Sequence, residues 1–273
     1  MREFDEIGYW SEVKLDIVRD YARAYSQILA ARTNPNFHHI YVDAFAGAGV
    51  HISRETREFV PGSPLNALMI EPPFSEYHFI ELDQARVEIL HQIAGERTNV
   101  HVHVGDCNLV LLEHIFPNLK WEQYRRALCL LDPYGLDLDW SVIHTAGTLK
   151  TVEIFLNFPV MDMNRNVLWK KPELVPPEQV ERMTRFWGDE TWRTVAYITT
   201  GNLFGFEEKT ENETIAEAFR QRLLTVAGFG HVPKPMPMRN RNGAVVYYLF
   251  FASPKPVAEK IVENIFKKYA NRT

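Results

Sequence analysis

The chain reads as an α/β protein: a doubly wound, mostly parallel seven-stranded sheet that ends in an antiparallel hairpin and carries a helical insertion. Three observations predict this. β-type runs alternate with helical ones from residue 39 to residue 158. Those runs are apolar almost throughout, as strands covered on both faces must be. Near the C-terminus, Asn242-Gly243 marks a hairpin just before the apolar run AVVYYLFFA, residues 244–252. With 273 residues, 46% apolar and 24% charged, the composition is globular rather than disordered. One domain is expected over 1–273, with a helical extension at 1–33 and an insertion at 160–210.

Each element has its own signal. Trp10, Val13, Ile17, Val18, Tyr21, Tyr25, Ile28 and Leu29 recur at i, i+3, i+4 and i+7, an amphipathic helix over 10–29. Asn34-Pro35-Asn36 stops it. HIYVDAF (39–45) is a first strand and YHFIEL (77–82) a second, followed by a helix over 84–94. VHVHVG (100–105) is a third strand, with a helix over 108–116. ALCLLD (127–132) is a fourth, with a helix capped by Asp139 and running over 140–148. VEIFLNF (152–158) is a fifth. Pro172, Pro176 and Pro177 then break the rhythm and lead into a helix with Val180, Met183, Phe186 and Trp187, suited to a lid or substrate platform. Trp187 and Trp192 suit the core better than a base-stacking surface. Residues 211–227 and 257–269 are helical, the latter with Val257, Ile261, Val262, Ile265 and Phe266 on one face.

In such a sheet, ligands bind at the carboxyl ends of strands where strand order reverses. The first strand ends in YVDAFAGAG, so Asp43, Phe45, Gly47 and Gly49 sit at that point. Glycine permits close backbone approach there. A dinucleotide fingerprint needs a third glycine at position 52, which is Ile52. A phosphate also wants a helix start directly after the turn. Here the next helix begins only at Ser63-Pro64, with Ser63 as N-cap and Pro64 at N1. An F-x-G-x-G turn without a phosphate cradle suits S-adenosylmethionine. Glu81, at the tip of strand two, can accept from both ribose hydroxyls; Asp83 is placed to N-cap the following helix instead. Asp106, at the tip of strand three, can accept the adenine amino hydrogen, and the Cys107 N–H can reach a ring nitrogen. Trp10 and Lys14 on the first helix could close over the cofactor.

The fourth strand ends in Asp132-Pro133-Tyr134-Gly135. Enzymes that methylate exocyclic amines carry an acidic or amide residue, proline and an aromatic at this place. The carboxylate and a proline-held carbonyl orient the amine, and the ring stacks on the base. The same four residues also compose a good β-turn. Asn157-Phe158-Pro159 ends the fifth strand as a further substrate-side contact or as an ordinary strand end.

Taken together, GYWSEVKLDIVRDYARAY, YVDAFAGAG, GSPLNAL, HFIELD, LLDPYGLDLDW, IFLNFPVMDMNRN and FWGDETWR resemble the three-Cys-motif partner proteins of prokaryotes. The likeness runs across nearly the whole chain. It implies a class I methyltransferase-like fold, which ends in an antiparallel seventh strand, and a partner protein bearing a three-cysteine motif. DPYG departs from the (D/N)PP(Y/F) of adenine-N6 and cytosine-N4 DNA enzymes. It is closer to the DPFG of tRNA guanine-N2 methyltransferases, which lifts RNA over DNA as the substrate. The alternative is a SAM-binding scaffold for the three-cysteine protein.

Net charge is −5, yet residues 228–273 carry eight Lys/Arg against two Glu, so a basic C-terminal segment could meet nucleic acid. A solvated helix and hairpin would look the same. Cys107 and Cys129 are the only cysteines, which excludes a disulfide framework and suits reduced thiols in the cytoplasm. No apolar run reaches the roughly 18 residues of a membrane span, and the N-terminus lacks a signal-peptide core. His38-His39 and His101-x-His103 lack a third metal ligand at workable spacing; His101 and His103 suit one sheet face.

Overall fold

The structure is a computed structural model that describes residues 5–199 and 207–272. Seven strands form the main sheet: β1 (His38–Asp43), β2 (Glu76–Glu81), β3 (Val100–Val104), β4 (Arg125–Leu131), β5 (Val152–Phe158), β6 (Met236–Arg239) and β7 (Val245–Ala252). Their order is β6-β7-β5-β4-β1-β2-β3. β1 pairs parallel with both β2 and β4, so strand order reverses between β1 and β4. β7 runs antiparallel to β5 and to β6. The mostly parallel sheet with a C-terminal hairpin is therefore as the sequence predicts.

Strand alternation makes two cores. Ile40 and Val42 of β1 join Cys129, Leu131, Ile154 and Leu156 on one face. Tyr41 joins Phe79, Leu128, Leu130, Phe155 and Phe251 on the other. Each fully buried side chain of this kind contributes ~1.5–3 kcal/mol of transfer free energy. The long helix α1 (Tyr9–Ala30) lies on the second face, where Val13, Ile17, Val18 and Tyr21 are buried. It is part of the core rather than an appendage to it.

Several local expectations need correction. Residues 51–62 are not a plain loop. Val50–Ser53 pairs in parallel with Asp5–Ile7 and antiparallel with Phe59–Pro61, a small separate sheet. Helix α2 (Ser63–Leu68) has Gly62, not Ser63, at its N-cap, with Pro64 at the second helical position. Asp139 occupies the N-cap of helix Trp140–Leu149 without bonding its backbone; it pairs instead with Arg185 at 3.3 Å. The helix expected over 108–116 is one α turn, Cys107–Leu109, widening into a π-helix over Val110–Ile115. Helix α3 (Gln84–Ala94) is capped by Asp83, which accepts from the N–H groups of Ala85 and Arg86.

The segment expected as a lid or substrate platform packs part of its side chains into the fold, while Met161, Asp162 and Arg165 line a cavity at the strand ends. Met163, Val167, Met183, Phe186, Trp187 and Trp192 are buried in the core that holds Phe158 and Phe219. Residues 200–206 of that segment lie outside the described residues. Four of the eight C-terminal cations meet acids from other segments. Lys234 pairs with Glu213, Arg241 with Glu55, Lys268 with Asp20 and Arg272 with Asp16. A count within one segment cannot see acids brought in from elsewhere in the chain. Among the described residues, no helix is long and apolar enough to cross a membrane.

Candidate functional site

Two cavities open at the carboxyl ends of the strands and share Phe45 and Tyr134 in their walls. The larger, about 630 Å³, brings together Gly47 from the turn after β1, Asp132, Pro133 and Tyr134 from the tip of β4, Asn157 from β5 and Lys14 from α1. The smaller, about 250 Å³, is lined by Glu81, Gly105, Asp106 and Cys107 from the tips of β2 and β3. Parallel register does this: strands that start level also end level, so turns far apart in sequence meet along one edge.

The two glycines after β1 differ. Both have positive φ, +62° at Gly47 and +73° at Gly49. A Cβ on Gly47 would meet nothing within 4 Å, so this side of the turn is open. A Cβ on Gly49 would come within 2.6 Å of Ile93 Cδ1 on α3. The Gly49 carbonyl also accepts from Gly62 N–H at 2.8 Å. Gly49 lines neither cavity. Its bare backbone admits the protein's own helices, while that of Gly47 faces free space.

Three acidic residues hold the strand tips. Glu81 is buried and ties two turns together: Oε2 accepts from Gly47 N–H at 2.9 Å, and Oε1 accepts from Leu82 and Asp83 N–H at 2.9 and 3.0 Å. Asp106 is exposed and accepts from Asn108 N–H through Oδ1 at 2.7 Å. Asp43 is fully buried and lines neither cavity. Its Oδ1 accepts from Phe45 N–H at 3.3 Å, and Oδ2 has no hydrogen-bond partner. Burial pushes its pKa up to about 7, against the pull of the nearby Ser63 hydroxyl and the Phe45 amide. It thus sets the shape of the turn from beneath. Burial, with Asp106 and Asp139 nearby, pushes the Cys107 thiol up to about 12, so it stays protonated at neutral pH.

At the tip of β4 the Asp132 carboxylate is already engaged. Oδ2 pairs with Lys14, whose side chain is 8% exposed. Oδ1 accepts from Asn157 Nδ2 at 2.8 Å. The Asn157 carbonyl oxygen is buried without a partner, as are Nδ1 of His51 and Oδ2 of Asp162; all three residues line the larger cavity. Unsatisfied buried polar atoms are rare in folded proteins and call for an explanation such as an absent ligand. The Tyr134 ring is 57% exposed. Its hydroxyl oxygen accepts from Arg86 at 2.9 Å, and Arg86 also pairs with Asp5 at 3.0 Å.

Lys14, Asn157 and Asp5 carry as much of this site as the motif residues. Asn157 is legible as the polar residue at a strand tip. Lys14 had only its helix position to speak for it, and Asp5 had no signal, because its strand pairs with a segment read as loop. Trp10 lines neither cavity; its carbonyl accepts from Tyr247 at 3.3 Å.

The strand order and terminal hairpin define the class as a Rossmann-like α/β fold of methyltransferase type. No protein-family model matches the chain, and no curated protein matches it. Among solved structures it is similar to protein LPL1258 from Legionella pneumophila, at 12% identity over 94% of this chain and 93% of that one, with a TM-score of 0.47. It is also similar to the METTL16 MTase domain, at 10% identity over 85% and 66% of the two chains and a TM-score of 0.43. A third is the N-terminal domain of EvdMO1 with SAH bound, at 13% identity over 86% and 80%, with a TM-score of 0.40.

Proposed function

We propose that the chain is an S-adenosylmethionine-dependent methyltransferase whose acceptor is an exocyclic amine of a nucleic-acid base, RNA ahead of DNA. One observation carries this reading: the open side of Gly47 and the Asp132-Pro133-Tyr134 tip face a single cavity, with a second cavity of nucleoside-binding chemistry adjoining it. The residues fit the cofactor. Gly47 leaves room against the backbone, and Asp106 keeps one carboxylate oxygen outside its capping bond. Glu81 has about four acceptor sites, of which backbone amides use three. It can therefore accept one ribose hydroxyl, not the two expected from sequence, without displacing an amide.

Bound there, the cofactor would supply an electrophilic methyl group to a nucleophile in the larger cavity. The protein's part is orientation. Asp132 and the Pro133 carbonyl would accept the amine hydrogens and aim its lone pair. Asn157 Oδ1, buried without a donor, offers a further acceptor. The exposed Tyr134 ring offers a stacking face held in place through its hydroxyl by Arg86. Arg54 and Arg165, neither ion-paired among the described residues, line the cavity wall where a phosphate backbone would run. The DPYG sequence, nearer to DPFG than to DPPY, supports RNA.

One observation favours a second reading, a cofactor-binding scaffold for a three-cysteine-motif protein. Lys14 and Asn157 each already engage one oxygen of Asp132, which holds that carboxylate in place without an acceptor amine and leaves about two of its four acceptor sites open. Calorimetry with S-adenosylhomocysteine, followed by transfer of labelled methyl to cellular RNA and DNA, separates the cases. Binding plus RNA labelling that Asp132→Ala abolishes supports the enzyme. Binding without labelling supports the scaffold, and no binding ends both.

A further inference from the structure

The sheet has another cavity at its opposite end, where β4 and β5 begin. Its volume is about 390 Å³, and Arg126 of β4 and Glu153 of β5 line it. Ile28 and Leu29 of α1 and Val257 and Ile261 of the C-terminal helix (Pro256–Tyr269) supply apolar wall. At the ~30 Å³ that a water molecule takes up in the liquid, this is room for about a dozen non-hydrogen atoms.

Two polar groups in this apolar space stand out. The Tyr25 hydroxyl has no hydrogen-bond partner, although Tyr25 is only 7% exposed. Arg126, 9% exposed, lies 3.9 Å from the centre of the Trp121 ring and 5.1 Å from that of Phe37. Its Nη1 donates to the Arg125 carbonyl at 2.8 Å, and among the described residues it makes no ion pair. A guanidinium this little exposed and without a counter-ion favours an anionic partner. Lys255, 4.9 Å from the Trp121 ring centre, with Arg32 and Lys150, adds positive charge to the lining. The one acid lining the cavity among the described residues, Glu153, has both oxygens occupied, by Tyr21 at 2.5 Å and Ser253 at 3.0 Å. It makes no ion pair with Arg126 or with the rim cations among the described residues, although Lys255 lies near enough to feel its charge.

We propose that this rear cavity binds a small amphipathic carboxylate, its hydrocarbon body between α1 and the C-terminal helix and its carboxylate on Arg126 and the Tyr25 O–H. One guanidinium and one hydroxyl match the two oxygens of a carboxylate. The buried Glu153 disfavours a doubly charged head group. The site is independent of the methyl-transfer reading, because it shares no lining residue with the front cavities.

Calorimetry on the full chain with octanoate, 1-octanol and octylammonium tests this. Octanoate is expected to bind about tenfold or more tighter than 1-octanol, with octylammonium weakest. Arg126→Gln should erase the preference for octanoate over the alcohol. Tyr25→Phe, a milder change that keeps the ring, should weaken octanoate about threefold and leave the alcohol unchanged. Asp132→Ala should bind octanoate as wild type does. Equal affinity for acid and alcohol, a preference that survives both rear-cavity variants, or no octanoate binding at low-millimolar concentration would overturn the proposal. In those cases Arg126 is a cation held by its two aromatic rings and the Arg125 carbonyl.

Discussion

The contrast between Gly47 and Gly49 offers the sharpest test of where the cofactor lies. An alanine at either position must take a left-handed backbone, which costs ~1–2 kcal/mol. At Gly47 the added methyl enters open space, so nothing else is lost in the free protein. At Gly49 it meets Ile93 Cδ1 at 2.6 Å, and moving that half-buried side chain adds ~1–3 kcal/mol of overpacking. Gly47→Ala should therefore lower stability by ~1–2 kcal/mol and Gly49→Ala by ~2–5 kcal/mol in urea unfolding. In the double variant Gly49→Ala/Ile93→Ala, the overpacking component should reappear as a coupling energy of ~1–3 kcal/mol. Binding should show the reverse order. Gly47→Ala places a methyl where the ligand would lie and should weaken S-adenosylhomocysteine at least ~10-fold, or ~1.4 kcal/mol. Gly49→Ala, measured where it is folded, should bind within ~3-fold of wild type. If Gly47→Ala binds like wild type, the cofactor does not rest against this turn and the functional reading loses its foundation.

Three further outcomes follow from the same geometry. Asp132→Ala should leave S-adenosylhomocysteine affinity within ~3-fold of wild type while reducing methyl transfer to RNA by ~100-fold, since an acceptor held loosely loses about that much; single-turnover labelling measures it. Lys14→Met removes the cation from a carboxylate that is only 26% exposed, and should cost ~1–3 kcal/mol in urea unfolding. Asp43 and Glu153 are both raised by burial to about 7. The folded chain therefore holds protons that the unfolded chain releases, so the stability from these groups is complete below about pH 4 and is lost as pH rises through 7. Each contributes up to a few kcal/mol of that slope, and Asp43→Asn and Glu153→Gln should each flatten the urea midpoint between pH 5 and pH 8. A slope unchanged in both variants would contradict the burial account.

The main sheet is legible in the sequence because strands covered on both faces must be apolar along their length, and the helices between them must repeat every three to four residues. The runs at β1, β2, β4 and β5 are of this kind, and Asn242-Gly243 announces the reversal before β7. The short strands Asp5–Ile7, Val50–Ser53 and Phe59–Pro61 are mostly half-buried and pair with distant segments, so they carry no such pattern. The π-helical turn after Cys107 likewise leaves the apolar spacing of an ordinary helix.

The sequence by itself determined which strand tips bear which chemistry: glycines after β1, a carboxylate after each of β2 and β3, and Asp-Pro-Tyr after β4. These are local facts, set by the order of elements along the chain. Only the tertiary structure decided that Gly47 is open while Gly49 is filled by Ile93, that Glu81 spends three acceptor sites on backbone amides, and that Lys14 occupies Asp132. It also decided that four of the eight C-terminal cations pair with acids from other segments. Each depends on which atoms approach from elsewhere in the chain, and contacts at long sequence separation leave no periodic trace in the residues that make them.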